Sequence, residues 1–290
     1  MKILITGQNG FLGKNLTNAF KTGLFDAHPA IKDEHVFGDC GDVRYIKEQG
    51  YCAGELNRIY HLAGTPSPTK YKLFPADVIM SSVVGTFNLL EMAKETRARL
   101  LFTSTIDTER FYPSDNFRSA YVDGKKCAED LCYQYRKDVD VRVIKLFSTY
   151  GEGMAYADGR VIPTFIRAAI NDDPIVVYGD GTQIDSFCYV SDMIDALYKA
   201  MEHDNPNKVI ELGNPFTDRH SGLVSIGELA HAIVDIARSK SKITYIPNMS
   251  FDKERIPNIH YAVRHLGWSP LIGLREGLER TIKYFREVKP

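Results

Sequence analysis

The sequence has little of what marks several broad classes of protein. Its 290 residues include one tryptophan and five cysteines, and 36 Lys and Arg nearly balance 37 Asp and Glu. Because no excess of positive charge attracts nucleic acid or an anionic membrane, we expect neither partner, and any anion site must be local. No apolar run approaches the ~18 residues that a membrane-spanning helix needs, which supports the same expectation.

Cysteine usage argues against two further classes. The cysteines are Cys40, Cys52, Cys127, Cys132 and Cys188. They are odd in number and scattered, without a C-x-x-C pair, so we expect neither a disulfide framework nor a metal site. Residues 1–7 are typical of a first strand and not of a signal peptide. These observations predict a protein of the reducing cytoplasm.

Short apolar segments alternate with longer amphipathic ones through the first two hundred residues. This alternation predicts the α/β class, a parallel sheet covered by helices on both faces. The predicted strands are residues 2–6, 35–39, 58–62, 99–104, 141–147 and 208–212. The predicted helices are residues 11–20, 83–94, 121–135, 162–170 and 192–202. A glycine-rich stretch at 151–160 interrupts the alternation, so we predict a sheet domain over 1–150, rejoined by 186–212, and a smaller lobe over 151–290.

A glycine-rich turn joins the first predicted strand to the first predicted helix. Glycines at 7, 10 and 13 give the spacing G-x-x-G-x-x-G, a displaced form of the G-x-G-x-x-G turn. Glycines allow a tight turn and a close backbone approach, and the helix start directs N–H groups at a pyrophosphate. The turn therefore predicts a dinucleotide site. Its candidate residues are Gly7, Asn9, Gly10, Phe11, Leu12 and Gly13.

An acid after the second strand commonly binds the ribose hydroxyls of NAD. Asp39 and Asp42 are both candidates, and the sequence does not decide between them. No arginine ends that strand, which favours NAD over NADP.

Tyr121 and Lys125 are four residues apart on a predicted helix, so they project from one face. A tyrosine, with an ordinary pKa of about 10, is a poor base at neutral pH, but a neighbouring ammonium stabilises the phenolate. Such a phenolate can take a proton from a sugar hydroxyl. Thr105 follows a predicted strand, and its hydroxyl can bond the same substrate oxygen.

Together these segments resemble the extended short-chain dehydrogenases that act on nucleotide sugars, and among them most closely the decarboxylases of UDP-glucuronate. The matching segments include 6–13, 61–63, 67–68, 85–86, 88–90, 104–105, 124–125, 128–129, 149–151, 158–161, 177–181, 189–192, 212–215 and 266–268. The resemblance implies a Rossmann-type fold, an NAD contact at Leu62, Ala63 and Gly64, and a homodimer formed through the helices at 83–94 and 121–135.

The resemblance also implies a reaction. Oxidation at C4 of UDP-glucuronate leaves a ketone β to the carboxylate, CO2 is lost, and the hydride returns, so that NAD is regenerated. Tyr121 would be the base, with Lys125, Thr105 and Asp107 assisting. The implied substrate residues are Pro68, Tyr71, Ser148, Arg160, Val161, Tyr178, Asp185 and Arg255. Within that set, Arg255 corresponds to the residue that binds the diphosphate, and Tyr178 to the one that packs on uracil.

Several positions depart from the family. Asp185 replaces an arginine, and Glu152 and Gly153 replace a proline and a second arginine. At about 4 Å and an effective dielectric of 20, each unit charge interaction is worth up to about 4 kcal/mol. Asp107 occupies a position where the family has a glutamate, and the segment between Thr105 and Tyr121 is shorter than in the family.

These departures leave alternatives open. In the first, Arg255, Arg160 or Lys70 supplies the missing positive charge. In the second, the chain is a 4-epimerase, dehydratase or ketoreductase on a different nucleotide sugar. The third, a non-catalytic NAD-binding sensor, does not explain why both Tyr121 and Lys125 are present.

Overall fold

The computed structural model describes residues 1–25, 36–37, 42, 44, 56–204, 209–218, 220–247 and 254–290. The chain forms two compact units. Unit 1 comprises Met1–Leu146 and Leu197–Ile210, and unit 2 comprises Phe147–Ala196 and Glu211–Pro290. The assignment of cofactor to residues 1–150 with 186–212, and of substrate to residues 151–290, stays a prediction.

The described strands are β1 (Lys2–Thr6), β2 (Val36–Phe37), β3 (Leu56–His61), β4 (Arg99–Thr105), β5 (Val141–Leu146), β6 (Ser148–Tyr150), β7 (Ile175–Tyr178), β8 (Ile184–Tyr189), β9 (Val209–Leu212), β10 (Leu223–Ser225) and β11 (Ile243–Ile246). The described α-helices are α1 (Phe11–Lys21), α2 (Pro68–Leu73), α3 (Pro75–Thr96), α4 (Ser119–Tyr135), α5 (Val161–Ile170), α6 (Val190–Glu202), α7 (Ile226–Ala237), α8 (His260–Leu266) and α9 (Leu274–Glu287). A one-turn 3-10 helix spans Ile106–Glu109.

The central sheet has the strand order β2-β1-β3-β4-β5-β9. β1 pairs in parallel with β2 and β3, and β4 pairs in parallel with β3 and β5. Ile3, Leu4 and Ile5 are fully buried, as expected for a parallel strand that is covered on both faces. The predicted α/β class with a parallel sheet is confirmed.

Helices α3 and α4 pack on each other and against β3, β4 and β5. The core between them contains Leu89, Leu90 and Ala128, each fully buried. The predicted start of α3 at residue 83 is wrong: the helix begins at Pro75, because a proline fits the first helical position.

The expectation that no apolar run is long enough to span a membrane also needs correction. By length and composition alone α3 passes that test, with 22 residues, and 44% of its most apolar window is buried inside the structure. A core helix of a soluble protein passes the same test, so this observation by itself decides nothing.

Unit 2 contains a three-stranded sheet of order β10-β8-β6 and a parallel pair of β7 and β11. Helix α7 begins with a capping box, in which Ser225 and Glu228 bond each other's backbone N–H. Trp268 is buried, and its indole N–H donates to the Asp192 carbonyl at 2.8 Å. Leu229, Ile233 and Leu278 are fully buried, so the unit has a hydrophobic core of its own.

Candidate active site

The turn between β1 and α1 brings its glycines against neighbouring backbone. Gly7 has a φ of 72°, and a Cβ there would lie 2.8 Å from the Cα of Ala63. A Cβ on Gly13 would overlap the Gly7 carbonyl oxygen and lie 2.6 Å from the Cα of Gln8. The N–H of Gly10 donates to that same carbonyl at 2.8 Å. Any side chain at Gly7 or Gly13 would therefore force the backbone to shift.

The start of α1 is suited to the pyrophosphate of a dinucleotide. Its N-cap is Gly10, which has no side chain to bond the first N–H groups, and its first turn has no acidic residue. An anion at this end meets N–H donors and the positive end of the helix dipole. Asn9 is exposed in the turn, and Phe11 and Leu12 are half-buried at the helix start. These residues fit NAD.

The two candidate ribose acids differ in what the structure shows. Asp39 lies outside the described residues. Asp42 is paired with Arg44, whose Nε lies 2.8 Å from Oδ2, and this hydrogen bond lowers the pKa of Asp42. Arg44 also contacts Asp77 of α3 at 2.9 Å. Which acid binds the ribose stays a prediction.

A buried network supports residues 62–64, the segment that follows β3. Thr6 Oγ1 accepts from the N–H of Ala63 at 3.2 Å and lies 2.9 Å from Nδ1 of His61. Nε2 of that histidine lies 3.0 Å from the Thr86 hydroxyl. Burial, helped by the charge of Lys125, lowers the pKa of His61 well below its usual range, so the ring is neutral at neutral pH.

Lys125 is buried in α4 beside this segment. Its Nζ donates to the Thr103 carbonyl at 2.8 Å and lies 4.6 Å from the centre of the Phe102 ring. A Cβ on Gly64 would lie 3.3 Å from the same nitrogen. Burial lowers the pKa of Lys125 to about 8. The ammonium is therefore the main form at neutral pH, and it loses its proton in mildly alkaline solution.

Tyr121 lies one turn before Lys125 on α4 and is half-buried. Its ring is stacked on the ring of Tyr71, with centroids 4.9 Å apart and planes 14° apart. Tyr71 is buried in α2, the helix that begins at Pro68. The structure thus brings one predicted substrate residue into contact with the predicted base.

Thr105 ends β4 and caps the 3-10 helix, where its Oγ1 accepts from the N–H of Asp107 at 3.3 Å. Both side chains are buried. They lie between Ser104 and Thr108, whose hydroxyls both bond the carboxylate of Glu129 on α4. Sequence reasoning missed Glu129 as a functional residue, although its position four residues after a predicted catalytic lysine places it on the same helix face.

In unit 2, three predicted substrate residues meet at one carboxylate. Oδ2 of Asp185 accepts from the Ser148 hydroxyl at 2.8 Å and lies 3.3 Å from Nη1 of Arg255. Its Oδ1 accepts from the N–H of Ser186 at 2.8 Å. The aspartate that replaces the family's arginine therefore neutralises the arginine that the resemblance assigns to the diphosphate.

The other predicted substrate residues of unit 2 lie on α5 and β7. Arg160 is the N-cap residue of α5, and its guanidinium pairs with both oxygens of Asp158, at 3.0 and 2.8 Å. Val161 is the first residue of that helix. Tyr178 ends β7 and is 52% exposed, so its ring is accessible for packing.

The chain is similar to known proteins over nearly its whole length. Residues 3–213 match the NAD dependent epimerase/dehydratase family. UDP-glucuronic acid decarboxylase 1 of Danio rerio is 35% identical, over 98% of this chain and 72% of that protein. UDP-glucuronic acid decarboxylase 6 of Arabidopsis thaliana is 34% identical, over 99% of this chain and 89% of that protein.

Solved structures of low sequence identity share the fold. A dTDP-glucose 4,6-dehydratase from Streptomyces venezuelae superposes with a TM-score of 0.86 at 18% identity, covering 100% of this chain and 98% of that one. The UDP-glucuronic acid 4-epimerase from Bacillus cereus has a TM-score of 0.78 at 21% identity, covering 99% of this chain and 100% of that one. The resemblance found in the sequence is confirmed, and the chain belongs to the NAD-dependent epimerase/dehydratase family.

Proposed function

We propose that this enzyme oxidises UDP-glucuronate at C4 and releases CO2, forming UDP-xylose or its 4-keto intermediate. The observation that carries the proposal is the buried ammonium of Lys125, which lies beside Gly64 and one turn from Tyr121. The matched decarboxylases provide the choice of substrate.

The chain's own groups move the protons. The phenolate of Tyr121 accepts the proton of the C4 hydroxyl, and the ammonium of Lys125 stabilises that phenolate. The turn at Gly7, Gly10 and Gly13 would hold NAD, which would supply the hydride chemistry at C4. The resulting 4-ketone is β to the C5 carboxylate. Cleavage of the bond between C5 and the carboxylate carbon releases CO2, and its electron pair moves to the C4 oxygen.

The developing enolate needs hydrogen-bond donors. The protonated Tyr121 and the hydroxyl of Thr105 are the candidates, since donors aimed at a developing oxyanion lower the barrier. Thr105 is held at the end of β4 by its bond with Asp107. A proton from solvent at C5 then gives the 4-keto product. For UDP-xylose, the phenol of Tyr121 returns its proton to the C4 oxygen as the hydride returns to C4.

The direct test is an assay of purified protein with UDP-glucuronate and NAD+, following CO2 release and the sugar signals by NMR. The proposal predicts CO2 and a pentose product. Absence of binding by both UDP and UDP-glucuronate at millimolar concentration would refute the decarboxylase assignment.

The ion pair of Asp185 with Arg255 favours a second candidate, C4 chemistry on a sugar without a carboxylate. Asp185 has a negative charge at a position where the family has an arginine, and its carboxylate is already paired with Arg255. A 4-epimerase, dehydratase or ketoreductase needs no decarboxylation, and the Tyr121–Lys125 pair serves it equally well. Assay against a panel of neutral and acidic UDP-sugars separates the two candidates.

Asp185→Asn is expected to strengthen binding of UDP by about tenfold, or about 1.4 kcal/mol. The substitution removes a negative charge beside Arg255 and frees the guanidinium for a diphosphate. Calorimetric titration with UDP measures the change. Asp235→Asn is the matched control, because it removes a similar partner from Arg275 at an exposed pair elsewhere in unit 2. Unchanged or weaker UDP binding in Asp185→Asn would show that this pair does not face the nucleotide.

We also infer a homodimer formed through α3 and α4. Met80 and Phe87 on α3 and Tyr133 on α4 are large side chains that are 47, 43 and 63% exposed. Met80 and Phe87 are seven residues apart and share one face of α3, and Phe87 contacts Tyr135 of α4 at a ring distance of 6.4 Å. Exposed apolar side chains along one helix face are typical of an interaction surface. Light scattering is expected to give twice the 32.7 kDa chain mass.

Phe87→Glu is expected to convert that dimer to monomers, because it buries a charge in the interface. Phe111→Glu, at a side chain that is 87% exposed in the loop before α4, is expected to leave the mass unchanged. A monomeric wild type, or a dimeric Phe87→Glu variant, would contradict the inference.

A further inference from the structure

The carboxylate of Glu129 joins four elements of unit 1. Glu129 belongs to α4, one turn beyond Lys125, and its side chain is 16% exposed. Its Oε1 accepts from the hydroxyl of Ser104 in β4 and from that of Thr108 in the 3-10 helix, the latter at 2.8 Å. Its Oε2 lies 3.6 Å from Nζ of Lys145 in β5.

The two hydroxyls enclose the segment that carries Thr105 and Asp107. Ser104 precedes this segment and Thr108 ends it. The Thr108 hydroxyl also lies 2.9 Å from the Thr105 carbonyl oxygen, so its single hydrogen is shared between two acceptors. One carboxylate thus fixes both ends of the segment against α4.

The same carboxylate affects Lys125. The titratable groups around that amine include Glu129 and Cys132 on α4 and His61 at the end of β3. Burial raises the pKa of Cys132 to about 12, and His61 is neutral, so neither is charged at neutral pH. Glu129 opposes the effect of burial on Lys125 and favours its ammonium form.

Lys145 lies on the opposite side of the carboxylate. Its Nζ is 2.9 Å from Oε1 of Glu109, a residue that is exposed at the end of the 3-10 helix. Lys145 therefore lies near two carboxylates, and its single positive charge does not fully neutralise the charge of Glu129.

We propose that Glu129 is a positioning residue for the reaction, which holds Thr105 and Asp107 against the helix of Tyr121 and Lys125 and places a negative charge one helical turn from that lysine. This inference rests on the proposed function of that pair. It assigns two separable roles to one carboxylate: its hydrogen bonds position the segment, and its charge acts on Lys125.

Glu129→Gln tests the charge, since an amide oxygen still accepts from both hydroxyls. The pKa of Lys125 is expected to fall below its wild-type value of about 8, because the negative charge that opposes the effect of burial is lost. The alkaline limb of the kcat profile then moves to lower pH: kcat falls about tenfold above about pH 8 and less than about twofold near pH 6, with KM unchanged. Glu91→Gln is the matched control, because Glu91 also accepts from a hydroxyl, that of Tyr135 at 2.5 Å.

The double variant Ser104→Ala with Thr108→Val tests the positioning role and keeps the charge. It is expected to lower kcat about tenfold at every pH, without moving the limbs of the profile. If Glu129 had a merely structural role, both variants would have a lower melting temperature and the pH dependence of kcat would not change. Superimposable kcat and pH profiles for Glu129→Gln and wild type would overturn the proposal.

A titration that needs no turnover separates this proposal from the proposed function. The ¹³Cε signal of Lys125, assigned with a Lys125→Arg variant, reports its pKa in labelled protein. A lower pKa in Glu129→Gln supports the electrostatic role even where wild type fails to convert UDP-glucuronate. An unchanged pKa refutes that role even where wild type is active.

Discussion

Tyr121→Phe is expected to lower kcat on UDP-glucuronate by about 10³-fold, with NAD still bound. The variant lacks the oxygen that takes the C4 proton but retains the ring. Because that ring stacks on Tyr71 at 4.9 Å, phenylalanine keeps the packing of α2 on α4. CO2 release, measured beside the content of bound NAD and the melting temperature, shows whether the loss is chemical.

Tyr133→Phe is the matched control for that experiment. It removes a phenol oxygen from the same helix at a side chain that is 63% exposed, and it is expected to keep wild-type turnover. If Tyr121→Phe turns over within about tenfold of wild type, another group is the base and the proposed mechanism fails.

Gly13→Ala is expected to weaken NAD binding by at least about 100-fold, the equivalent of about 2.7 kcal/mol. The new Cβ would overlap the Gly7 carbonyl oxygen and lie 2.6 Å from Gln8 Cα, so the turn must open. An opened turn no longer directs its N–H groups at a pyrophosphate. Calorimetric titration with NAD, or the NAD that remains after purification, measures the loss.

Leu16→Ala controls for general destabilisation of α1. Leu16 is fully buried on that helix, so its truncation is expected to cost about 2–5 kcal/mol of unfolding free energy. The glycine turn itself is untouched, and NAD affinity should be retained at temperatures where the variant is folded. Equal losses of NAD affinity in both variants would mean that the turn has no specific role.

The sequence predicted the parts of the fold that depend on local patterns. β1, α1 and α5 were placed within one residue at each end, because apolar periodicity and glycine spacing are local signals. The start of α3 was missed by eight residues. In that region Pro75, Asp77 and the two serines at 81 and 82 interrupt the apolar pattern, so the helical period is clear only from residue 83.

Contacts that join distant segments were not predictable in the same way. Asp185 and Arg255 are 70 residues apart, and nothing local to either indicates that one neutralises the other. The network of Thr6, His61 and Thr86 likewise depends on the parallel order of β1 and β3. Such pairs are determined by sheet topology, which a single sequence restricts only partly.

The central claim, that hydride leaves C4 as Tyr121 takes the hydroxyl proton, is tested most directly with UDP-glucuronate deuterated at C4. Single-turnover reactions are quenched at short times, and the nicotinamide is analysed by mass spectrometry. We expect deuterium on the nicotinamide before CO2 release is complete in wild type, and none in Tyr121→Phe. Release of CO2 by wild type without deuterium reaching the nicotinamide would contradict the claim.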